Sequence, residues 1–407
     1  MNNRIIYPST IISLIFLAWV VMQFVRLYQI NTGGFQHYRM VYNFSGIQGD
    51  GLRPCDTPIE SDSTLYGTTL YGGTYYKGII FSYDITLDKE KTLFSFGNTY
   101  DGANPRGSLI QSGSTLYGMT TKGGIKGLGI IFSYNINTGT ENILHSFAGK
   151  PFDGATPLGS LIKAGSILYG LTCNGGIKNA GTIFSYNLDT NTETILHSFA
   201  GGPLDGALPC GSLINSSPVF YGLTLKGGIN KMGTIFAYNI ETGTEQILHS
   251  FTGGSQDGAL PFGSLIKSKS ILYGLTAAGG TYAFGTLFDY DVNNQMETVL
   301  HSFAGGPRDG TNPNGSLLEI DTILYGTTRN GGNNDEGIIF AYDVNTGLEK
   351  VLYSFANDPI NPSGLSASMY GANPVDSLIE SGSVLYGTAM KGGLNTGGLI
   401  FSYTLPQ

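Results

Sequence analysis

Tryptophan is nearly missing from this chain. The single copy among 407 residues is Trp19, inside an N-terminal apolar segment. The body behind that segment therefore has none, which argues against tryptophan-docked quinoprotein blades and Trp-Asp signature blades, and against a sugar site built on a stacked indole. Charge is scarce as well, at 12% of residues where about a quarter is ordinary. Lysine and arginine number 21 against 29 acids, a net charge of −8, and no basic run or stripe stands out. Nucleic acid is not an expected partner. No run is long enough and 3.6-periodic enough to make a helix beyond the N-terminal segment. Cysteine is limited to Cys55, Cys173 and Cys210. The odd count gives no readable disulfide framework, so buried free thiols are expected.

What the chain has instead is glycine, 61 residues, and a repeated phrase of about 52 residues. Leu-Tyr-Gly, or Phe-Tyr-Gly once, places its tyrosine at 66, 117, 169, 221, 273, 325 and 386. A Phe-x-Tyr follows with its phenylalanine at 81, 132, 184, 236, 288, 340 and 401. A third element, typically His-Ser-Phe, ends at Phe44, Phe96, Phe147, Phe199, Phe251, Phe303 and Phe355. Within each copy, short β-branched and aromatic runs alternate with Gly/Asn/Asp/Ser turns, which predicts four antiparallel strands per copy. Four strands at this period predict an all-β, seven-bladed β-propeller. The last copy stops after its third strand, and Tyr38–Phe44 matches the missing fourth in register. This N-terminal strand is expected to close the last blade and remove an open edge. The repeated Phe and Tyr side chains are expected to fill the seams between blades. Cys55 and Cys210 occupy one repeat position three copies apart, which puts them beyond disulfide reach in a ring.

Residues Ile5 to Val25 carry no charge, and as a helix they would span roughly 31 Å, about one bilayer core. The expected organisation is residues 1–34 as a single hydrophobic helix with a short linker, ahead of a propeller over 35–407. An uncleaved signal-anchor is favoured over a cleaved secretory signal, because small residues come late, at Thr32-Gly33-Gly34. A membrane-anchored, extracytoplasmic propeller follows as the expectation, with secretion as the alternative.

Most repeated polar residues read as structure. Asp-Gly-x-x-Pro recurs with its Asp at 50, 101, 153, 205, 257 and 309. Each such loop offers one Asp with no second acid close in sequence, whereas calcium needs six to eight oxygens. A turn capped by Asp, with its Gly at positive φ, is expected. His145, His197, His249 and His301 would sit roughly 15 Å apart on successive outer strands, too far to share a zinc ion. No metal, cofactor or catalytic constellation is expected. A single site requires residues that break the repeat, and the clearest break is the loop 356–374, where Tyr370 replaces Asp. With Asp335 and Glu336 on one flank and Tyr75 and Tyr76 on the other, it is the candidate ligand patch. Asp88 and Glu90 read as solvated hairpin residues.

The full phrase runs Asp-Gly-Ala-x-Pro-x-Gly-Ser-Leu-Ile, Leu-Tyr-Gly-x-Thr-x-x-Gly-Gly, Gly-Thr-Ile-Phe-Ser-Tyr, Leu-His-Ser-Phe. It resembles the GloVer tandem repeat over residues 38–407. The resemblance implies an exported, surface-anchored bacterial repeat protein without an assigned activity, and it brings no catalytic residues. The expected function is a monomeric, non-enzymatic binding or scaffold module with a glycan or protein ligand on its loop-rich face. The alternative is a propeller hydrolase or lyase acting on extracellular glycans through Asp335 and Glu336.

Overall fold

The computed structural model describes residues 37–406, apart from residues 48, 98–99 and 357–369. The apolar segment 5–25 lies outside them. Among the described residues there is no α-helix, and none long and apolar enough to cross a membrane. Each copy of the repeat is an antiparallel blade. In the first, the inner strand is split into Gly51–Pro54 and Ile59–Ser61, followed by Thr64–Gly72, Ile79–Asp84 and the outer strand Lys89–Ser95. The seventh consists of Ala372–Ser381, Val384–Lys391 and Leu399–Thr404, with Tyr38–Asn43 as its outer strand. Tyr38 pairs with Tyr403 and Asn43 with Leu399, so the displaced phrase closes the ring.

Every seam between blades uses the same three contacts. The phenylalanine that ends one outer strand meets the third-strand phenylalanine of the next blade edge to face, with centroids 5.1–5.3 Å apart. Examples are Phe199 on Phe236 and, at the closing seam, Phe44 on Phe81. The Leu-Tyr-Gly glycine makes room for that ring, since a Cβ on Gly222 would stand 2.5 Å from Cζ of Phe236. A proline then packs on the glycine that opens the preceding blade's third strand, as Pro209 does on Gly181 and Pro54 on Gly398. The third contact comes from the residue before each proline. Its N–H donates to the preceding blade's loop, for example Leu208 to Ala180 O at 2.7 Å and Arg53 to Gly397 O at 2.7 Å.

That contact relocates the strained residue of Asp-Gly-x-x-Pro. Gly51 and its equivalents in blades two to six are absent from the left-handed region, and only Gly371 of the seventh takes a positive φ, 90°. Gly51 is required because a Cβ would come within 2.5 Å of Thr69 Cγ2. Positive φ falls on the residue before proline: Arg53, Asn104, Thr156, Leu208, Leu260, Asn312 and Asn373, at 50–57°. Proline normally drives its predecessor to extended backbone. The inter-blade hydrogen bond and the buried proline together hold it elsewhere.

Each of these phenylalanines is fully buried. Phe199→Ala is expected to lower the unfolding free energy by about 3–5 kcal/mol in urea titrations. A loss below about 1 kcal/mol would show that the seam closes without it.

Candidate functional site

The loops leading into each blade and the loops between its second and third strands lie at one end of the ring. They are bonded to each other, as Gly176 N to Asp153 O at 2.8 Å shows. On the axis, the break in the inner strand of blades one to six, and the register shift between Val375 and Ile379 in the seventh, bring together the residues that follow the prolines. Five copies read Gly-Ser there, and the serines form a belt: Ser108, Ser160, Ser212 and Ser264 each donate a main-chain N–H to the hydroxyl of the next, at 2.7–3.1 Å. Ser377 closes onto Thr57 Oγ1 at 2.8 Å. A Cβ on Gly159 would lie 1.9 Å from Gly211 O, so only glycine lets the inner strands meet this closely.

Two copies depart from glycine, and they are neighbours. Asp56 and Asp376 stand at this position in blades one and seven. Asp56 is fully buried, and its Oδ2 accepts from Thr68 N and Oγ1 at 3.0 and 2.8 Å, while Oδ1 has no partner. Burial drives its carboxyl well above the usual range, and Asp376 adds to the effect. Burial raises Asp376 too, against the pull of Ser377, Thr57 and Arg106.

The residue directly after each proline carries the asymmetry. It is Cys55, Arg106, Leu158, Cys210, Phe262, Asn314 and Val375 in turn, and all seven line an axial cavity of about 310 Å³. Arg106 crosses from blade two to lie 5.8 Å over the Phe262 ring of blade five. That pair also borders a wider mouth of about 700 Å³ on the loop-rich face. The mouth is walled by Arg329, Lys391, Asp335, Glu336 and five asparagines: 312, 314, 330, 334 and 373. Arg106, Arg329 and Lys391 make no ion pair among the described residues, and the amides of Asn312 and Asn314 have no protein partner there. Several uncompensated donors thus converge on one cavity.

Of the sequence candidates, Asp335 and Glu336 line the mouth. Asp335 sits at φ 58° and accepts from Gly331 N at 2.8 Å, a turn role that Asn179 fills in blade three. Glu336 is half-buried and accepts from Asn373 Nδ2 at 3.4 Å. Tyr75 and Tyr76 are exposed on the first-blade loop and line neither cavity. Tyr370 also lines neither, and its carbonyl receives the Tyr38 hydroxyl at 2.7 Å. Residues 357–369 of the long loop lie outside the described residues. The signal that sequence reasoning missed is the position after proline, where the repeat uses six residue types in seven copies.

Three sequence expectations need correction. Cys173 and Cys210 form a disulfide, Cα–Cα 4.8 Å. They occupy different repeat positions on adjacent blades, and comparing like with like, as for Cys55 and Cys210, overlooks such a pair. Cys55 stays free and buried, its thiol raised first by burial. Next, Asp88 and Glu90 are not simply solvated. Asp88 pairs with Arg39 at 2.5 Å and takes the Tyr83 hydroxyl, and Glu90 is half-buried.

Finally, the loop aspartates do have a second acid. Asp153 caps Ala148 N and Gly154 N, both at 2.6 Å, and His145 meets it at 3.1 Å, while Glu193 of the next blade stands within 4.8 Å. The arrangement recurs at His197, His249 and His301. Glu141 keeps its place near Asp101 although Phe94 replaces histidine there, so the repeated unit is the carboxyl pair. Asp257 is held below the usual range: burial opposes this, but bonds from His249 and Thr252 N outweigh it.

The chain matches the family model described as the Gloeobacter/Verrucomicrobia repeat, over residues 25–231 and 204–369. It belongs to that family. The GloVer reading of the repeated phrase is thereby established. No curated protein matches the chain. Solved structures share its architecture at low identity. An oligogalacturonate lyase in complex with manganese aligns at TM-score 0.56 and 12% identity, over 88% of this chain and 90% of the lyase. The extracellular domain of a protein described as a one-component system, from B. thetaiotaomicron, aligns at 0.57 and 12%, over 90% of this chain and 40% of that one. A chain of the mitotic checkpoint complex reaches 0.53 and 13%, over 90% and 91%. Such similarity shows the propeller fold alone.

The carboxyl pairs make stability depend on pH. Burial first, and then the facing aspartate, lifts Glu141, Glu193, Glu245 and Glu349 to about 7, and Glu297 to about 8. The unfolded groups titrate near ~4.3, so folding takes up protons. This contribution is complete below about pH 4.3 and is lost as pH rises through about 7 to 8. The urea midpoint should therefore fall between about pH 5 and pH 8, and the double variant Glu193→Gln, Glu245→Gln should flatten that slope. An unaltered slope in the double variant would refute the assignment.

Proposed function

We propose that this family member is a non-enzymatic binding module that takes a polyhydroxylated, carboxylate-bearing ligand, such as an acidic oligosaccharide, in its axial mouth. The observation that carries the reading is the concentration of sequence difference on the axis. A scaffold copied seven times over places a different residue after proline in almost every blade, and all of them face one cavity. Uniform copies would serve a purely structural ring equally well. Arg106, Arg329 and Lys391 outnumber Asp335 and Glu336, which suits an anionic group. The asparagine amides suit hydroxyls, and a mouth of about 700 Å³ is within the usual size of ligand sites. Phe262 offers one apolar face.

The propeller is read as extracytoplasmic and membrane-anchored through residues 5–25, with secretion as the alternative. The Cys173–Cys210 disulfide supports an oxidising compartment. A second reading, a lyase or hydrolase on acidic glycans, is favoured by Glu336. It is the mouth carboxylate that caps no turn, and an oligogalacturonate lyase shares the fold.

Calorimetric titration of neutral and acidic oligosaccharides tests both readings. Acidic ligands should bind, and Arg329→Ala with Lys391→Ala should weaken them at least about tenfold, as loss of charge-assisted hydrogen bonds does. Equal binding of neutral sugars, or none of either, would sink the binding reading. Product formation abolished by Glu336→Gln would replace it with the enzyme.

A further inference from the structure

The net charge of −8 conceals an uneven spread of exposed acids between the two ends of the ring. Tight hairpins at the end away from the mouth carry acids, among them Asp62, Asp84, Glu241, Asp291, Asp321 and Asp343. That end also carries Lys89, Lys163, Lys267 and Lys269, whereas the loop-rich end exposes cations with few exposed acids beside them: Lys77, Lys126, Lys178 and Lys231 between second and third strands, and Lys150 and Arg308 in the loops entering blades. Its aspartates are turned inward and spent on loop N–H groups and histidines, as Asp153 shows. Among the described residues, Asp335 is its one exposed acid.

The same end is studded with exposed apolar side chains. The loops entering blades present Ile47, Tyr100, Phe152 and Leu204, the last two 87% and 89% exposed. The loops between second and third strands add Ile125, Ile177, Ile229, Tyr282 and Leu394. Leaving bulky apolar groups in water at equivalent sites of successive blades has no folding benefit, since none of these tips joins a seam cluster. Ring symmetry holds equivalent residues at one height, so among the described residues these tips and ammonium groups are distributed around the mouth. A protein partner would fit a continuous patch or groove. Separated apolar tips with cations between them, at one end of the ring, fit a bilayer interface whose headgroups are negative.

We infer that the loop-rich face is a docking surface for an anionic lipid bilayer. Phe152, Leu204 and the isoleucine tips enter the headgroup and acyl boundary, and the lysines engage lipid phosphates. The inference is independent of what the mouth binds, because none of these residues lines it. Sequence inspection misses the basic face because its lysines are contributed singly by successive blades.

The test uses residues 37–407, which contain every strand of the closed ring and omit the apolar N-terminal segment. Partitioning is measured by sedimentation with vesicles of pure phosphatidylcholine and of phosphatidylcholine with about 30% phosphatidylglycerol. The ring should bind the anionic vesicles and release in high salt. Phe152→Ser with Leu204→Ser should weaken this at least about tenfold. Lys126→Glu, Lys178→Glu and Lys231→Glu together should weaken it by about a hundredfold or more at low salt. Lys267→Glu with Lys269→Glu, at the opposite end, should leave it unchanged. Thermal melts of each variant establish that the ring is folded. No binding by the wild-type ring would overturn the inference. So would binding that ignores Phe152 and Leu204, which would mark a mere polyanion surface able to take nucleic acid equally, or face-to-face self-association removed by the same substitutions.

Discussion

A buried phenylalanine edge set against a phenylalanine face, repeated at each of seven seams, is the contact on which this molecule depends. No blade can bury both of its faces alone, and each seam supplies what the previous blade lacks. The aromatic geometry is worth about 0.5–1.5 kcal/mol per pair beyond the area it buries. The larger effect is registration. The third-strand ring occupies the space opened by the Leu-Tyr-Gly glycine, which fixes how far one blade can slide along the next. The proline and the left-handed residue before it then lock the inner end of the same seam. Outer and inner contacts agree on a single blade spacing, and the serine belt on the axis is its result.

Spacing within one copy was legible from the chain. Alternation, glycine turns and the displaced strand Tyr38–Asn43 gave blade number, strand count and closure. Interactions running from one copy to the next were not. Glu193 stands within 4.8 Å of His145, Leu208 N meets Ala180 O, and Cys173 meets Cys210, each pair joining different repeat positions of successive blades. Aligning equivalent positions hides such pairs. The candidate site was half legible for a related reason. Asp335 and Glu336 break the repeat in a loop and do line the mouth, whereas the residues after proline directly follow Asp-Gly-x-x-Pro and read as the end of a structural turn. Tyr75, Tyr76 and Tyr370 also break the repeat, but they line neither cavity.

Symmetry and specificity are divided between neighbouring atoms here. Backbone and hydroxyl groups of the serine belt are nearly identical around the axis. Two residues earlier, the side chains are almost all different. A wall of this kind tolerates change at the position after proline, because blade registration is set at the seams by phenylalanines and Leu-Tyr-Gly glycines that do not line the cavity. The pair Asp56 and Asp376 is the exception. It replaces glycine at the closing seam, with an unpartnered buried oxygen on Asp56, and so ties the chemistry of the wall to the place where the ring joins.

That join has a temporal meaning. Tyr38 finds its partner Tyr403 only after the intervening chain exists, 365 residues later (403 − 38). At ~5–20 residues per second of synthesis, the strand waits roughly 20 to 70 seconds with both edges bare. Six blades can stack on one another in the order they emerge, but the ring stays an open arc until its last strand arrives. Arg39, set among the apolar and aromatic residues of Tyr38–Asn43, places a charge in the segment that must wait longest, the kind of gatekeeper that discourages pairing with a stranger.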